Sequence, residues 1–303
     1  MSNITFSIIT PCYKGKYLLP RAYSSILRQG CGYSFEWIIV DDFSNDNGET
    51  QAAIEKIQSE STFPINAIYL EKNHYAASSA YTGTIHAKGE YSIILDQDDM
   101  LADDALEIFS AYISSYQSLQ NFAGVCGRCV GPDGRLIGTP FNWQEKLSNE
   151  LNIRHIEKIR GEMFQCTKTK LIAEYFYGMK PGYTNGWAWS RIAKNYQFLY
   201  TNKIVRIYDT ANPESTSNLK RLVHLDAQFE QSSEFLVVNA DYLVHDQIVG
   251  IRMLIQWARV GLHLNKKYAE LLKILPRSIR GLFRLAFPVA LIKARHDRMI
   301  GAI

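Results

Sequence analysis

Short apolar runs alternate with helix-like segments along the first hundred residues of this chain. Four runs rich in β-branched residues have the character of strands, namely ITFSIITPCY, FEWIIVDD, INAIYLEKN and YSIILDQDD. The segments between them, LLPRAYSSILRQ, NGETQAAIEKIQSE and AASSAYTGTIHAKG, show helical spacing. Strands that alternate with helices of this length imply right-handed crossovers between parallel neighbours. The pattern predicts an α/β fold with a mainly parallel sheet and flanking helices.

Polar residues cluster where three of the predicted strands end. These residues are Thr10 to Tyr13, Asp41 and Asp42, and Asp96 to Asp99. In open parallel α/β sheets, ligands bind beyond the carboxyl ends of the strands. We therefore expect the three clusters to share one crevice.

The cluster after the fourth strand holds Asp96, Asp98 and Asp99 within four positions. Carboxylates packed this closely repel one another, so a counter-charge is needed to neutralise them. A hard divalent cation meets that need, because Mg²⁺ and Mn²⁺ bind carboxylates together with substrate phosphates. The alternative is that these acids cap the next helix, a role that fits Asp103 and Asp104 well. We favour the metal interpretation for the first three acids.

The other two clusters suit a nucleotide. A carboxylate at Asp42 can accept hydrogen bonds from a base N–H or a ribose hydroxyl, and Pro11 with Tyr13 can form a platform for a base ring. Each residue also has a structural alternative, since proline ends strands and aspartate caps helices. Their joint placement at strand ends favours the binding interpretation.

Three stretches together resemble the N-terminal half of family 2 glycosyltransferases of the GT-A fold, over residues 5–110. They are FSIITPCYKGKYLLPRAYSSILRQ, WIIVDDFSND and AKGEYSIILDQDDMLADDAL. The resemblance implies that Asp96 and Asp98 form the DxD pair. Asp98 would be the direct ligand of a Mn²⁺ or Mg²⁺ ion that bridges the diphosphate of a nucleotide-sugar. By the same resemblance, Pro11, Tyr13 and Asp42 would contact the nucleotide, and we predict that Thr10, Asp96 and Asp99 also belong to the substrate-binding site.

One segment departs from the family pattern. Many members carry a glycine, an arginine and a second asparagine ahead of the stretch that corresponds to AKGEY, where this chain has Tyr75, Ala80 and Tyr81. The arginine that would contact phosphate is therefore missing. The basic residues that can substitute for it are Lys14, Lys72 and His74.

The second half of the chain resembles the acceptor-side block of bacterial members more loosely, in RGEMFQCTKTKLI and GYTNGWAWSRIAKNYQFLYTNKIVRIY. In that block an acid normally begins the helix that corresponds to GWAWSRIAKNY and serves as the general base. Here Asn185 stands at that position, and an amide cannot act as a carboxylate base. We predict that Glu162 is the base, with Asp209 as the next acidic candidate. A gap in the alignment, a substrate-assisted or water-relayed reaction and a weakened enzyme are the alternatives.

Two tryptophans, Trp187 and Trp189, lie beside Asn185. Tryptophan rings can stack on sugar faces, which makes Trp187 a candidate acceptor contact. A tryptophan in a helix is more often part of a hydrophobic core, and this alternative stays open.

The alternation of strands and helices ends after residue 106, and helical spacing dominates from about residue 220. With 303 residues, 47% of them hydrophobic and 21% charged, the composition is that of a globular protein with a substantial core. We predict a nucleotide-sugar-binding half of a GT-A domain over residues 1–110, an acceptor-binding half over 111–218, and a helical, basic C-terminal region over 219–303.

Positive charge is concentrated in this C-terminal region. Residues 251–303 carry eleven Lys or Arg against two acids, a net +9, so the remaining residues sum to −6. RSIRGLFRLAFPVALIKARHDRM places basic residues on both sides of an apolar core, Leu282 to Ile292, that is too short to span a bilayer. Pro288 should bend or interrupt this helix. Residues 277–298 suit an anionic membrane surface, and a helix packed on the catalytic domain is the alternative.

No stretch approaches the roughly eighteen apolar residues of a membrane span, and MSNITFSIITPCY lacks the features of a signal peptide. The five cysteines form an odd number without the spacing of a disulfide framework, which indicates a reducing compartment. We expect a cytoplasmic protein, peripheral on the cytoplasmic face of the plasma membrane if the tail binds lipid.

These observations predict a metal-dependent, inverting glycosyltransferase. It would move a sugar from a nucleotide-sugar, with a UDP-sugar as the expected donor, to an acceptor hydroxyl in the synthesis of surface polysaccharide or lipid-linked oligosaccharide. The alternative, which Asn185 favours, is a catalytically weakened GT-A module that binds nucleotide-sugar. No nucleic-acid partner is expected, because the basic residues of the tail show no recognised binding motif.

Overall fold

The computed structural model describes residues 5–30, 32, 34–209 and 224–301. The chain divides into two compact units, and each unit is made of more than one segment. The first unit comprises Met1–Glu150, Ile159–Met179 and Arg191–Asn212. The second unit comprises Leu151–Lys158, Lys180–Ser190 and Pro213–Ile303.

One mixed sheet organises the first unit. Among the described residues its nine strands are β1 Thr5–Cys12, β2 Ser34–Asp41, β3 Ile65–Tyr69, β4 Tyr91–Ile94, β5 Met100–Leu101, β6 Phe122–Val130, β7 Glu145–Ser148, β8 Met163–Lys168 and β9 Gln197–Ile207. Their order across the sheet is β3-β2-β1-β4-β8-β6-β9-β5, and β7 pairs with β9.

The strands β3, β2, β1 and β4 run parallel, as the alternating pattern predicts. Ile8 of β1 pairs with Trp37 of β2 on one side and with Ile93 of β4 on the other. Beyond β4 the sheet is mixed, because β8 runs antiparallel to both β4 and β6. The carboxyl ends of β1, β2 and β4 therefore lie side by side at one edge of the sheet.

Helices pack on both faces of this sheet. They are α1 Leu19–Leu27, α2 Glu49–Glu60, α3 Tyr75–Ile85, α4 Ala105–Tyr116 and α5 Thr169–Tyr175, and α6 Asn185–Asn195 crosses from the second unit into the first. Ile8 and Ile9 are both fully buried although successive strand residues point to opposite faces. Gly83 lets α3 approach closely, since a Cβ there would lie 2.4 Å from Cγ2 of Ile9.

The second unit is helical, as the sequence predicts for the C-terminal region. It contains α7 Leu225–Val238, α8 Ala240–His245, α9 Gln247–His263, α10 Tyr268–Ile274 and α11 Arg280–Met299, with a π-helical segment at Asn152–Ile156 and a 3₁₀ turn at Arg277–Ile279. Its core centres on Trp257, which stacks on Phe229 with ring centroids 5.5 Å apart and meets Phe283 at 5.7 Å. Pro288 is exposed and does not interrupt α11. None of the described helices is long and apolar enough to cross a membrane.

The division into units differs from the predicted boundaries. The predicted boundary after residue 110 falls inside α4, and the one after residue 218 lies outside the described residues. The second unit also takes in two segments from the predicted acceptor-binding half, because their side chains bond to its helices. Lys180 forms an ion pair with Glu230 at 2.7 Å, and Trp187 Nε1 donates to Glu234 at 2.8 Å.

Candidate active site

One side chain joins the loops that follow β1 and β4. The Gln97 amide accepts a hydrogen bond from the Tyr13 N–H at 3.1 Å and donates one to the Tyr13 carbonyl at 2.9 Å. Gly15 leaves room for this arrangement, since a Cβ there would lie 2.7 Å from Gln97 Oε1. Gln97 stands between the two acids of the DxD pair, and the sequence analysis did not single it out. Its two bonds fix the acidic loop against the loop that carries Tyr13.

Asp42 connects the ends of β1, β2 and β3. Its N–H donates to the Cys12 carbonyl at 2.7 Å, and its buried carboxylate accepts the His74 N–H at 2.6 Å. The Asn73 amide donates to the Asp42 carbonyl at 3.1 Å. Asp42 therefore holds the segment that leads into α3, which carries the Tyr75 position where the family pattern has glycine. Tyr75 adopts a left-handed backbone with φ 66°, a conformation that glycine adopts without strain.

Asp41 and Ser44 organise the turn after β2. The Ser44 hydroxyl donates a short hydrogen bond to the Asp41 carboxylate and accepts the Lys14 N–H at 2.8 Å. Burial raises the pKa of Asp41, and the bonds from Ser44 oppose that rise. Lys14 is thereby placed in the loop after β1 with φ 52°.

The predicted donor contacts in β1 differ in exposure. Thr10 is fully buried, and its hydroxyl accepts a hydrogen bond from Trp37 Nε1 at 2.9 Å. Pro11 is also buried and pairs with Val40 of β2. Tyr13 is 45% exposed. The geometry favours a packing role for Thr10 and leaves Tyr13 as the side chain that can meet a ligand.

The acids of the DxD loop lie in different environments. Asp96 and Asp98 are half-buried, whereas Asp99 is fully buried. Burial raises the pKa of Asp96, and the neighbouring carboxylates of Asp98 and Glu162 add to the rise while Arg206 opposes it. Burial also raises the pKa of Asp99, again against the opposing effect of Arg206. The crowding of negative charge therefore exists and extends to a fourth acid, Glu162.

A buried arginine supplies part of the counter-charge. Arg206 of β9 is 5% exposed and places its guanidinium 3.1 Å from Asp99 Oδ2 and 2.9 Å from Glu162 Oε2. The rings of Phe164 and Tyr208 flank it, with centroids 4.7 and 4.8 Å from Cζ. The sequence interpretation assigned the charge that balances these acids to a metal and its ligand alone, whereas Arg206 supplies part of it. Asp99 has the geometry of a positioning group, not of a donor contact.

Arg206 could have been suspected from its strand. It follows Ile204 and Val205 and precedes Ile207 in a run of strand character, and a charged residue in such a run needs a buried partner. The sequence does not reveal which acids it meets, because they come from segments more than forty residues away.

The two candidate bases in the first unit differ in accessibility. The Glu162 side chain is 45% exposed, with Oε2 bonded to Arg206. The Asp209 side chain is 10% exposed, and its Oδ2 lies 2.7 Å from Arg21 NH1. Asp209 also donates its backbone N–H to Asp99 at 2.9 Å. The structure therefore favours Glu162 over Asp209 as the group that can reach an acceptor.

Asn185 and Trp187 belong to the second unit. Asn185 is the first residue of α6, the position predicted from the family pattern, and its side-chain oxygen is buried with no hydrogen-bond partner among the described residues. Trp187 is buried, meets the Tyr183 ring edge-on at 5.0 Å, and bonds to Glu234. The geometry favours the core alternative for Trp187.

The DxD loop has a donor set that suits a shared divalent cation. In the part of the chain that the structure describes, no group of three or more His, Cys, Asp or Glu side chains could hold a metal ion. Mg²⁺, however, is usually bound by one or two protein carboxylates together with substrate phosphates and water. Asp96 and Asp98 are two half-buried carboxylates in a cluster of four acids with one arginine. These residues fit a cation that is held jointly with a diphosphate.

Relatives of known activity match parts of the chain. TarP of Staphylococcus aureus strain N315, a poly(ribitol-phosphate) β-N-acetylglucosaminyltransferase, is 41% identical over 103 residues, which are 33% of this chain and 30% of TarP. A Campylobacter jejuni GalNAc(5)-diNAcBac-PP-undecaprenol β-1,3-glucosyltransferase is 25% identical over 221 residues, 70% of this chain and 66% of that protein. The chain thus spans about a third of TarP and just under two thirds of the Campylobacter protein.

A solved structure matches nearly the whole chain. The crystal structure of S. aureus TarS residues 1-349 in complex with UDP-GlcNAc aligns with a TM-score of 0.64 at 17% identity, covering 98% of this chain and 92% of that one. At that identity the likeness shows the fold, which is GT-A. The family profile of glycosyl transferase family 2 matches residues 7–169, more than half of the chain. The chain therefore belongs to glycosyl transferase family 2, as its strand-end motifs predict.

Proposed function

We propose that this protein transfers a sugar from a nucleotide-sugar to an acceptor hydroxyl with inversion at the anomeric carbon. The observation that carries the proposal is the joint fixing of the DxD loop and the Tyr13 loop by Gln97. Asp42, at the end of the neighbouring strand, is tied into the same edge through Cys12 and His74. A diphosphate bound at Asp98 would therefore have a nucleoside-binding surface next to it.

The donor that we propose is a UDP-sugar. Tyr13 would stack on the base, and Asp42 would meet the nucleoside, as the family resemblance implies. TarP, by its name, transfers N-acetylglucosamine, and TarS has been crystallised with UDP-GlcNAc. UDP-GlcNAc is therefore the first donor to test.

A divalent cation would be held by Asp98, with Asp96 beside it. When bound there, the metal supplies Lewis-acid stabilisation of the departing nucleoside diphosphate. Arg206 cannot replace it, because its guanidinium is buried between Asp99 and Glu162. The role of Arg206 is instead to balance the negative charge of the buried Asp99 carboxylate.

Glu162 is the general base in this proposal. Its carboxylate would take the proton of the acceptor hydroxyl while that oxygen attacks the anomeric carbon and the nucleoside diphosphate leaves from the opposite face. The ion pair with Arg206 orients the carboxylate, and its 45% exposure leaves it accessible. Asn185 does not supply a base, because an amide cannot take the proton.

The acceptor that we propose is a cell-surface polymer or a lipid-linked oligosaccharide. The names of TarP and of the Campylobacter enzyme describe acceptors of these two kinds. A cytoplasmic location is part of the proposal and is supported by the buried thiols of Cys12, Cys129 and Cys166, which form no disulfide within the described residues. Contact of the tail with a membrane would bring a lipid-linked acceptor to the enzyme.

A second candidate function is a GT-A module that binds nucleotide-sugar with little turnover. The observation that favours it is Asn185, whose amide begins α6 where the family pattern has an acid. The two functions differ in turnover and agree in donor binding.

Release of UDP from UDP-GlcNAc, with Mn²⁺ and then with chelator, tests the proposal. Asp98→Asn should lose Mn²⁺-dependent release, whereas Asp103→Asn is a matched control, because that side chain is 73% exposed and pairs with Arg28 on the surface. Binding without release, with or without added polymer acceptors, would support the weakened module. Failure of a panel of nucleotide-sugars to raise the melting temperature with Mn²⁺ would overturn both functions.

A further inference from the structure

The helix α11 buries one face in the second unit. Phe283, Ala286, Ala290 and Ala294 are buried at intervals of three and four residues. The small side chains of the three alanines allow close packing against α9, and Phe283 meets the Trp257 ring at 5.7 Å. The inner face of α11 therefore stabilises the helical unit.

The outer face of the same helix is also apolar. Leu285 is 67% exposed, Ile292 is 66% exposed and Met299 is 77% exposed, with Val289 at 41%. In chain order these four positions are separated by four, three and seven residues, so they lie on one side of the helix. The exposed Pro288 lies on this side too. We call this set the outer face of α11.

Basic residues border the outer face. Arg277, Arg284, Lys293 and Arg295 are exposed, and none of them forms an ion pair within the described residues. The acid of this segment, Asp297, is buried and pairs with Arg259 and His263. The surface around the outer face is therefore positively charged without an exposed carboxylate from α11.

We propose that the outer face of α11 docks on an anionic lipid bilayer, with the helix axis parallel to the membrane. A helix of 20 residues is about 30 Å long, and an interfacial helix buries its apolar side about 5–10 Å into the headgroup region. Apolar side chains at the centre with basic residues on both borders match that environment, because the cations meet lipid phosphates. The outer face belongs to the second unit and the DxD loop to the first, and the test of docking needs no sugar donor.

Two other occupants fit less well. A second copy of the chain would bring two sets of exposed Arg and Lys together around the same patch, and like charges at an interface disfavour the contact. A polyanion such as nucleic acid would meet the basic residues but would gain nothing from Leu285, Val289 and Ile292. The combination of apolar centre and basic border is what selects the bilayer.

Vesicle flotation of the full chain tests the docking, with phosphatidylglycerol and phosphatidylcholine in equal amounts and with phosphatidylcholine alone. Leu285→Gln with Ile292→Gln should lower the partition coefficient at least tenfold. Replacement of Arg284, Lys293 and Arg295 by Gln should lower the partition coefficient about a hundredfold at low salt. Each cation near an anionic surface contributes about fivefold, and the three factors multiply. All five side chains are exposed, so each variant should melt as wild type does.

The matched control is Ile85→Gln with Leu119→Gln, which removes two exposed apolar side chains, 55% and 41% exposed, from the first unit. The control should bind anionic vesicles as wild type does. The proposal is overturned if wild type stays unbound with anionic vesicles at low salt, if it binds both vesicle types equally, or if the outer-face variants bind unchanged. A wild-type dimer in sedimentation velocity that Leu285→Gln with Ile292→Gln dissociates would assign the face to a second copy.

Discussion

Each unit of this protein buries a carboxylate against an arginine, and the two clusters differ in their charge balance. In the second unit, Arg259 donates to both oxygens of Asp297 at 2.6 Å, and His263 Nε2 lies 2.8 Å from Oδ2. These bonds lower the pKa of Asp297 to about 2. In the first unit, burial instead raises the pKa of Asp99 although Arg206 is 3.1 Å away.

The difference lies in how many acids share the arginine. Asp297 is compensated by both an arginine and a histidine, Arg259 and His263. Arg206 serves Asp99 and Glu162 directly and also influences Asp96, whose own neighbour is Asp98. A fully compensated cluster only stabilises the fold, whereas an excess of negative charge at a strand end leaves a need for an external cation. We therefore interpret the first cluster as functional and the second as structural.

Removal of the arginine should break the first cluster most severely. Arg206→Met leaves Asp99 as an uncompensated buried charge, and the loss of one partner of a buried pair costs about 3–5 kcal/mol of unfolding free energy. Because burial raises the pKa of Asp99 to about 8, the deficit should be largest above that pH and should shrink as the pH falls through it and the carboxylate is protonated. Thermal melts in chelating buffer, from mildly alkaline to mildly acidic pH, measure both effects.

Arg206→Lys is the matched control for this prediction. It keeps the charge but cannot bond to Asp99 and Glu162 with the planar fork of a guanidinium, so we expect an intermediate loss. Equal melting of wild type and Arg206→Met at every pH would contradict the view that Arg206 compensates Asp99.

Turnover tests whether Glu162, the more exposed of the two acids that Arg206 contacts, is the general base. Glu162→Gln keeps the hydrogen-bonding shape but cannot take a proton, and loss of general base catalysis lowers turnover about 10²- to 10⁴-fold. Donor affinity should stay nearly unchanged, because Glu162 is proposed to act on the acceptor. Steady-state UDP release with a transferable acceptor measures kcat and KM separately.

Asn185→Ala is the comparison for Glu162→Gln. Its effect should be mild, since the amide does not supply the base. Equal, mild losses in the two variants would sink the assignment of Glu162 and strengthen the water-relayed or weakened-enzyme alternatives.

The second cluster should respond to pH in the usual direction for a compensated acid. The folded pKa of Asp297 lies near 2, below the value of about 3.9 in the unfolded chain, so its contribution of about 2–3 kcal/mol is present above pH 4 and lost as the pH falls toward 2. Asp297→Asn should lower the stability at neutral pH by a similar amount and flatten this acid dependence. Thermal melts of both proteins over that range measure it, and Asp103→Asn, a surface pair, should change stability by less than about 1 kcal/mol.

The parallel part of the fold follows directly from the sequence, because its signals are local. The alternation of strand and helix patterns predicted β1 to β4 and α1 to α3. The carboxyl ends of the parallel strands β1, β2 and β4 lie at one edge of the sheet, as expected. The helices of the second unit were likewise predicted from apolar spacing. Assignment of 151–158 and 180–190 to that unit could not be predicted, because it depends on contacts such as Lys180 with Glu230.

The candidate site was predicted where a residue type carries the chemistry and missed where a contact does. The DxD acids, Tyr13 and Asp42 come from motifs at strand ends. Gln97 and Arg206 do not, because an amide and an arginine acquire their roles only from the partners that folding brings to them. Thr10 is a third case: it fits the motif, but its side chain is buried in the core and therefore cannot meet a ligand.

The smallest change that tests the comparison is Asp98→Asn, which alters one half-buried carboxylate at the site of excess negative charge. Without metal, the neutral amide removes repulsion from Asp96 and Asp99, so the variant should melt no lower than wild type. With Mn²⁺, it should bind UDP at least tenfold more weakly, a loss of about 1.4 kcal/mol or more, because the direct metal ligand is gone. Calorimetric titration with UDP, with and without Mn²⁺, measures this loss.

If the variant binds UDP with Mn²⁺ as tightly as wild type, the excess charge of the first cluster does not serve a metal at Asp98. A lower melting temperature without metal would instead show that Asp98 is compensated inside the fold, as Asp297 is, and would remove the difference between the two clusters.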